Sequence, residues 1–373
     1  MQGGALRLGD PDKVLFWSEA EKLAGLPRYD RLFPTRVVRT GREPLELPRR
    51  ARDLGRLRYE VAGETFDLED FVRHNRVTGL LVIERGAIAL ERYALGHRPD
   101  ARWNSFSVTK SVVSMLVGAA IHDGHLGGVD DLVADYLPEM RGTSYDGVRI
   151  RDVLRMASGV DWNEDYADPE SDVANGTART SLERLRYLAS RPRIAPPGER
   201  FNYSTGETHL LGAVLRAALG TDLSSFLESK IWQSFGMEAD AHWMLVEPGG
   251  AEHGGCCLSA VLRDWGRIGL FALRDGVLPD GTRVLPPGWM AESTTPSPAN
   301  EEYGYLWWLR GRGAFRASGI FGQMIHVDPA AQVVVVTQGV WPAATDEVLG
   351  AHRDAFLAAV SQALASPGAA RAG

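Results

Sequence analysis

Ser107-Val-Thr-Lys-Ser-Val-Val-Ser-Met-Leu-Val-Gly-Ala-Ala-Ile121 is an apolar run with a single charge, Lys110, near its front. Its length and composition predict a helix set among other apolar segments. Positions three apart share a helix face, so the Ser107 hydroxyl and the Lys110 amine stand side by side at the first turn. A neutral amine there can take the hydroxyl proton, which gives a nucleophile whose base is carried by the same helix.

Lysine is scarce in this chain. Lys13, Lys22, Lys110 and Lys230 are the four present, and Lys110 alone has a serine three residues before it. Arginine keeps its proton near neutral pH, so a base at this position has to be lysine. Taken alone, the four-residue pattern also fits a capping serine beside a solvated lysine. The apolar flanks of Lys110 weigh against that alternative.

With 373 residues, the chain can bury a large core as one two-lobed unit or two domains. Hydrophobic residues make up 44% and charged residues 24%, the balance of a globular protein, and the net charge is −7. That balance gives no basic footprint for nucleic acid, which leaves a small molecule as the expected partner. The opening Met1-Gln-Gly-Gly-Ala-Leu-Arg-Leu-Gly-Asp10 lacks an export pattern, and no run approaches the length of a membrane span. A cytoplasmic protein without membrane contact is expected, with assembly as a homodimer left open. Cys256 and Cys257 are adjacent, a poor geometry for a disulfide, and are expected as buried small residues beside the Gly254-Gly255 turn.

Along the chain, the amphipathic stretch near Val14–Leu26 reads as a helix and is followed by an irregular lead-in without evident chemistry. The run Leu80–Tyr93 carries two apolar segments about Arg85-Gly86, a hairpin signal. Helical segments over 151–157, 181–190 and 208–218 follow. Strands are expected at Glu302–Leu309, Gly322–Val327 and Gln332–Gln338, then a helix from Thr345, a plausible N-cap, to Ala365. These elements predict an α+β fold, an antiparallel sheet flanked by helices with an inserted all-helical lobe. Residues 1–75 form a lead-in packed on the α/β lobe, 76–125 and 245–373 the α/β lobe, and 126–244 the helical lobe, in one catalytic unit whose site lies between the lobes.

Three separated motifs agree in order and spacing. They are Ser107-Val-Thr-Lys110, Pro196-Pro-Gly-Glu-Arg-Phe-Asn-Tyr203-Ser-Thr205 and Ala317-Ser318-Gly319-Ile320. With them the chain resembles the serine β-lactamase and penicillin-binding-protein superfamily, in its class C-like esterase and amidase branch. Asn163–Pro169, Ser318–Gln323, Trp341-Pro342 and His352-Arg353 are similar to the nylon-oligomer (6-aminohexanoate-dimer) hydrolase type within that branch. The match runs from about residue 78 onward, with the first 75 residues matching loosely. The resemblance implies a β-lactamase/transpeptidase-like fold and an acyl-serine mechanism without cofactor or metal.

Carried over residue by residue, the resemblance implies a catalytic triad of Ser107, Lys110 and Tyr203. The backbone N–H groups of Ser107 and Ile320 would face the oxyanion, helped at Ser107 by the helix dipole. Lys110 must lose its charge to act, and burial can supply the required pKa depression. Ala317 departs from the family's Lys-Thr-Gly, which puts β-lactam and peptidoglycan chemistry in doubt. Thr205 replaces the usual Asn or Ser of the second motif. Tyr166 corresponds to a tyrosine on a mobile loop and, with Ser318 and Gly319, is a candidate substrate contact; a loop aromatic beside Trp162 is the alternative. His253 and His352 are further candidate pocket residues, although a histidine satisfied by the fold fits as well. Glu164 is read as an acidic loop residue.

No Gly-x-Ser-x-Gly elbow, zinc motif, phosphate loop or dinucleotide loop is present. The residues point to a serine hydrolase for a small ester or linear amide. An acyltransferase using the same acyl-enzyme is the alternative, and a non-catalytic binding module is disfavoured by the intact Ser107, Lys110 and Tyr203.

Overall fold

The computed structural model describes residues 8–41, 43–174 and 178–365. The export-signal expectation rests largely on residues 1–7, which lie outside that range. Six strands make the main sheet: β1 (Val77–Glu84), β2 (Ala87–Tyr93), β3 (Trp308–Leu309), β4 (Phe315–Gly319), β5 (Gln323–Asp328) and β6 (Val333–Gly339). They run β2-β1-β6-β5-β4-β3, each antiparallel to its neighbour.

Alternation decides which face each side chain joins. Leu81, Ile83, Ile325, Val334 and Val336 point into one core, whereas Leu80, Val82, Met324, Val333 and Val335 point into another. Because both faces are covered, β1 is buried along its whole length and its sequence is almost continuously apolar. Arg85 and Gly86 take φ of 48° and 78° between β1 and β2, the geometry a two-residue hairpin demands.

Helix α1 (Val108–His122) lies on the inner face beside β4 and β5, helix α2 (Thr205–Leu219) packs on α1, and α3 (Leu262–Leu273) covers β1, β5 and β6. A Cβ on Gly269 of α3 would stand 2.4 Å from Val334, so glycine at that position lets the helix lie directly on the sheet. The last helix, α4 (Glu347–Ala365), covers the outer face through Phe356, Leu357, Val360 and Leu364. Antiparallel sheet, flanking helices and helical insert agree with the α+β expectation.

Several boundaries differ. Strand structure in Glu302–Leu309 is confined to Trp308–Leu309, because Tyr303, Tyr305 and Trp307 are buried by turns rather than by a ladder. The amphipathic Val14–Leu26 divides into a 3-10 segment, Pro11–Phe16, and a helix, Glu19–Gly25, capped by Ser18 with Glu21. Asp346, not Thr345, accepts from the Leu349 amide at the start of α4. A second sheet went unanticipated: Thr35–Val38, Ala241–Met244, Leu258–Ala260 and Trp103–Asn104 pair in that order. It braces the strand that leads into Ser107. Among the described residues no single helix is long and apolar enough to cross a membrane.

Candidate active site

The chain reaches Ser107 through a forced turn. Phe106 holds φ at 48°, an uncommon conformation for a bulky residue. Its amide is held by Asn104 Oδ1 at 3.2 Å, its carbonyl accepts from Cys257, and its ring packs edge-on against Phe321. Ser107 then sits at the N-cap position of α1 without capping it. Its hydroxyl is left for other work.

Helix α1 is buried from Val108 to Ala120, so Lys110 is carried into the interior at 1% exposure. Its Nζ meets Ser107 Oγ at 2.8 Å, Thr205 Oγ1 at 2.9 Å and the Gly255 carbonyl at 2.8 Å. Burial pushes the Lys110 pKa down to about 8, against an upward pull from the Glu164 carboxylate. Desolvation therefore outweighs the nearest negative charge.

The second helix supplies the facing wall. Asn202 ties the loop before α2 to the Val160 and Trp162 carbonyls, and Ser204 caps α2 by accepting from Glu207 at 3.1 Å. Tyr203 is thereby set immediately before the first turn of α2. Its ring stacks on Trp308 at 5.7 Å and lies 5.1 Å from Lys110 Nζ. Burial raises the Tyr203 phenol far above its ordinary pKa and Glu164 adds to this, while contact with Ser107 pulls back. Tyr203 is held in its phenol form.

Gly319 ends β4 against the turn that carries Ser107. A Cβ there would lie 2.3 Å from the Ser105 carbonyl and 3.3 Å from the Ser107 amide nitrogen. Glycine is the residue that allows the strand to approach so closely. Ile320 follows at once and lines the same cavity.

A cavity of 1170 Å³ opens over Ser107, lined also by Glu164, Tyr166, Tyr203, Trp308, Ser318, Gly319 and Ile320. Tyr166 and Glu164 come from one loop, with the Tyr166 hydroxyl donating to Glu164 Oε1 at 2.8 Å. Ser107, Tyr203, Tyr166, Ser318, Gly319 and Ile320 thus meet at one cavity, with Lys110 beneath.

His253 and His352 are not among the residues lining it. His253 is buried against Arg184 at 2.7 Å and near His209, within the helical side. His352 faces away because the helical turn directs Gly350, Arg353 and Asp354 to the cavity. It lies instead by the Tyr59 hydroxyl at 3.2 Å and the Phe66 ring. Cys256 and Cys257, expected as buried small residues in a poor geometry for a disulfide, are instead joined as a disulfide between neighbours, and Cys257 has φ of 79°.

Three contributions went unseen in the sequence. Glu164, read as an acidic loop residue, accepts from the Thr205 amide at 2.9 Å and also from the Thr205 hydroxyl and the Trp162 indole. Thr205 turns its hydroxyl to Lys110 rather than toward the cavity. The lead-in places Leu15, Phe16 and Trp17 on the wall. Glu164 had one available signal, its place two residues before Tyr166.

Residues 68–338 match the model of the Beta-lactamase family. The 6-aminohexanoate-dimer hydrolase of Paenarthrobacter ureafaciens is 30% identical over 301 residues, which is 74% of this chain and 76% of that protein. A solved Bacillus anthracis protein assigned as a 6-aminohexanoate-dimer hydrolase is similar with a TM-score of 0.83 at 19% identity, over 95% of this chain and 96% of that one. EstCE1, described as a hydrolase with promiscuous acyltransferase activity, gives 0.60 at 18% identity over 80% and 96%. By the extent of the family match and the identity to a curated relative, the chain belongs to the Beta-lactamase family and is a serine hydrolase of that fold, related to 6-aminohexanoate-dimer hydrolase.

Proposed function

We propose that the protein cleaves a small carboxylic ester or linear amide through an acyl-Ser107 intermediate, with Lys110 as base and Tyr203 as proton carrier. The observation that carries this is the buried Lys110 Nζ at 2.8 Å from Ser107 Oγ. A neutral amine has two N–H groups and one lone pair. Thr205 Oγ1 and the Gly255 carbonyl take the two N–H groups, which leaves the lone pair to accept from the Ser107 hydroxyl. The assignment of base follows from the pKa directions: Lys110 is lowered to about 8, so an appreciable fraction is neutral near pH 7 to 8, whereas Tyr203 is raised and remains a donor.

As Ser107 Oγ attacks the carbonyl carbon, its proton passes to Lys110 and the oxyanion forms beside the Ser107 and Ile320 amides. Collapse breaks the bond to the leaving group, which receives the proton through Tyr203. Water, activated in the reverse sense, attacks the acyl-serine and releases the acid. Tyr166, Ser318 and Gly319 border the bound substrate. A cytoplasmic location and a small-molecule partner accompany this proposal.

Intact mass spectrometry after incubation with p-nitrophenyl butyrate, linear amides and β-lactams tests it. An adduct of the acyl mass on the native chain and none on Ser107→Ala is expected; acylation of Ser107→Ala would overturn the assignment. Acyl transfer is the second reading, favoured by the wide cavity and by the activity named for EstCE1. With an added amine, ligated product exceeding free acid would select transfer.

A further inference from the structure

A second cavity, of 650 Å³, shares no lining residue with the one over Ser107. It lies between the helix Glu19–Gly25 with the turns that follow it and residues 94–102, the loop that joins β2 to the strand Trp103–Asn104. Two turns shape that loop. The His97 amide donates to the Ala94 carbonyl at 3.0 Å, and the Ala101 amide to the Arg98 carbonyl at 3.1 Å.

The walls are of two kinds. Ala20, Leu23, Ala24, Pro27 and Leu95 make an apolar side, and Arg28, Arg31, Arg98 and Arg102 a cationic one. Asp100 and Asp30 answer part of this charge. Asp100 takes Arg98 with both oxygens at 3.1 Å, and Asp30 accepts from Arg102 Nη2 at 3.1 Å while standing 3.8 Å from His242. Arg28 gives one N–H to the Ala24 carbonyl, and neither it nor Arg31 meets an acid among the described residues. His97 also lines the cavity, and burial lowers its pKa to about 4, so it adds no charge. A chain whose net charge is −7 thus gathers positive charge in one hollow.

Arg102 Nε and the indole N–H of Trp103 are buried without an acceptor among the described residues, Trp103 being 1% exposed. Unmet donors beside partly desolvated cations are costly and call for an acceptor of opposite charge.

We infer that this cavity binds a phosphate monoester carried on a short apolar body. Arginine forks pair with phosphate oxygens, and several guanidinium groups about one hollow suit a group with close to two negative charges and three acceptor oxygens better than a carboxylate. The volume falls within the roughly 300–1,000 Å³ of small-molecule sites, so a bare ion leaves much of it unfilled. The apolar side receives the body. The inference does not depend on the acyl-Ser107 proposal, because no residue of that machinery lines this cavity.

Calorimetry on the full chain tests it with hexyl phosphate, set against inorganic phosphate, hexanoate and 1-hexanol. Hexyl phosphate is expected to bind about tenfold or more tighter than each of the three. Arg28→Gln and Arg31→Gln should each weaken that binding by about tenfold, whereas Arg353→Gln, at the cavity over Ser107, should leave it unchanged. Arg31 is exposed, so its variant carries the test even if Arg28→Gln fails to fold. Equal affinity for hexyl phosphate and 1-hexanol would overturn the inference. So would binding lost in Arg353→Gln and retained in Arg31→Gln, which puts the ligand over Ser107 instead. Phosphatidylcholine vesicles containing phosphatidic acid separate two sources of the same chemistry. Cosedimentation that Arg31→Gln abolishes assigns a lipid headgroup, and binding of hexyl phosphate without cosedimentation assigns a free phosphate monoester.

Discussion

In the proposed mechanism Ser107 and Lys110 share one proton. Ser107→Ala is expected to lower p-nitrophenyl butyrate turnover by a factor of about 10³ or more with an unchanged far-ultraviolet spectrum and melting temperature. Lys110→Arg should be nearly as damaging, because the guanidinium cannot release its charge. The pH profile follows from the direction of the Lys110 shift. Its ammonium is inactive and its amine active, so kcat/KM should climb about tenfold per unit below pH 8 and level off above it. A profile flat from pH 6 to 9 would remove Lys110 from the role of base. The pair was legible in the sequence because helix spacing is local: three residues fix the contact. Glu164 was not, since its partner Thr205 is 41 residues away and only the tertiary fold joins them. The same applies to His253 and His352, whose residue type suggested chemistry while their neighbours Arg184 and Tyr59 give them structural partners.

Elements matter here through their ends. Two helices begin at the site, α1 at Ser107 and α2 just after Tyr203, and β4 stops against them at Gly319. Gly319→Ala would drive a methyl group into the Ser105 carbonyl, so the strand must retreat and carry the Ile320 amide away from the nucleophile. A fall in kcat of about 10² or more is expected, in the range seen for loss of one oxyanion donor, with a smaller effect on KM. Steady-state kinetics of this variant check it. Apolar periodicity made β1, β5, β6 and α2 readable, as their burial is a property of the run itself. Thr35–Val38 and Ala241–Met244 were missed because a four-residue strand with mixed burial has little pattern of its own. Glu302–Leu309 misled for the opposite reason: aromatic residues with high strand propensity are buried there by turns, Leu306 taking φ of 60°.

At the scale of the whole molecule, one apolar cluster runs without a break from the helices about Leu210 and Val153 to the sheet residues Ile325 and Val334. Chemical denaturation should therefore show a single cooperative transition, coincident by circular dichroism and tryptophan fluorescence. The lead-in belongs to that unit through Lys22. Its ammonium is 1% exposed, holds the Trp341 carbonyl at 2.5 Å and the Pro342 carbonyl at 3.0 Å, and lies over the Phe321 ring. Lys22→Met should lower stability by about 1–3 kcal/mol in urea titrations, because two carbonyls lose their donor, and should raise KM by loosening the Trp341–Thr345 wall. Helix α1 has its flanks wrapped in protein for thirteen consecutive residues. By contrast, the segments that would meet a substrate, about Leu15, Tyr166 and Trp341, come from three distant parts of the chain. Descendants of this enzyme can thus exchange one diet for another by editing those margins, while the engine room keeps its parts.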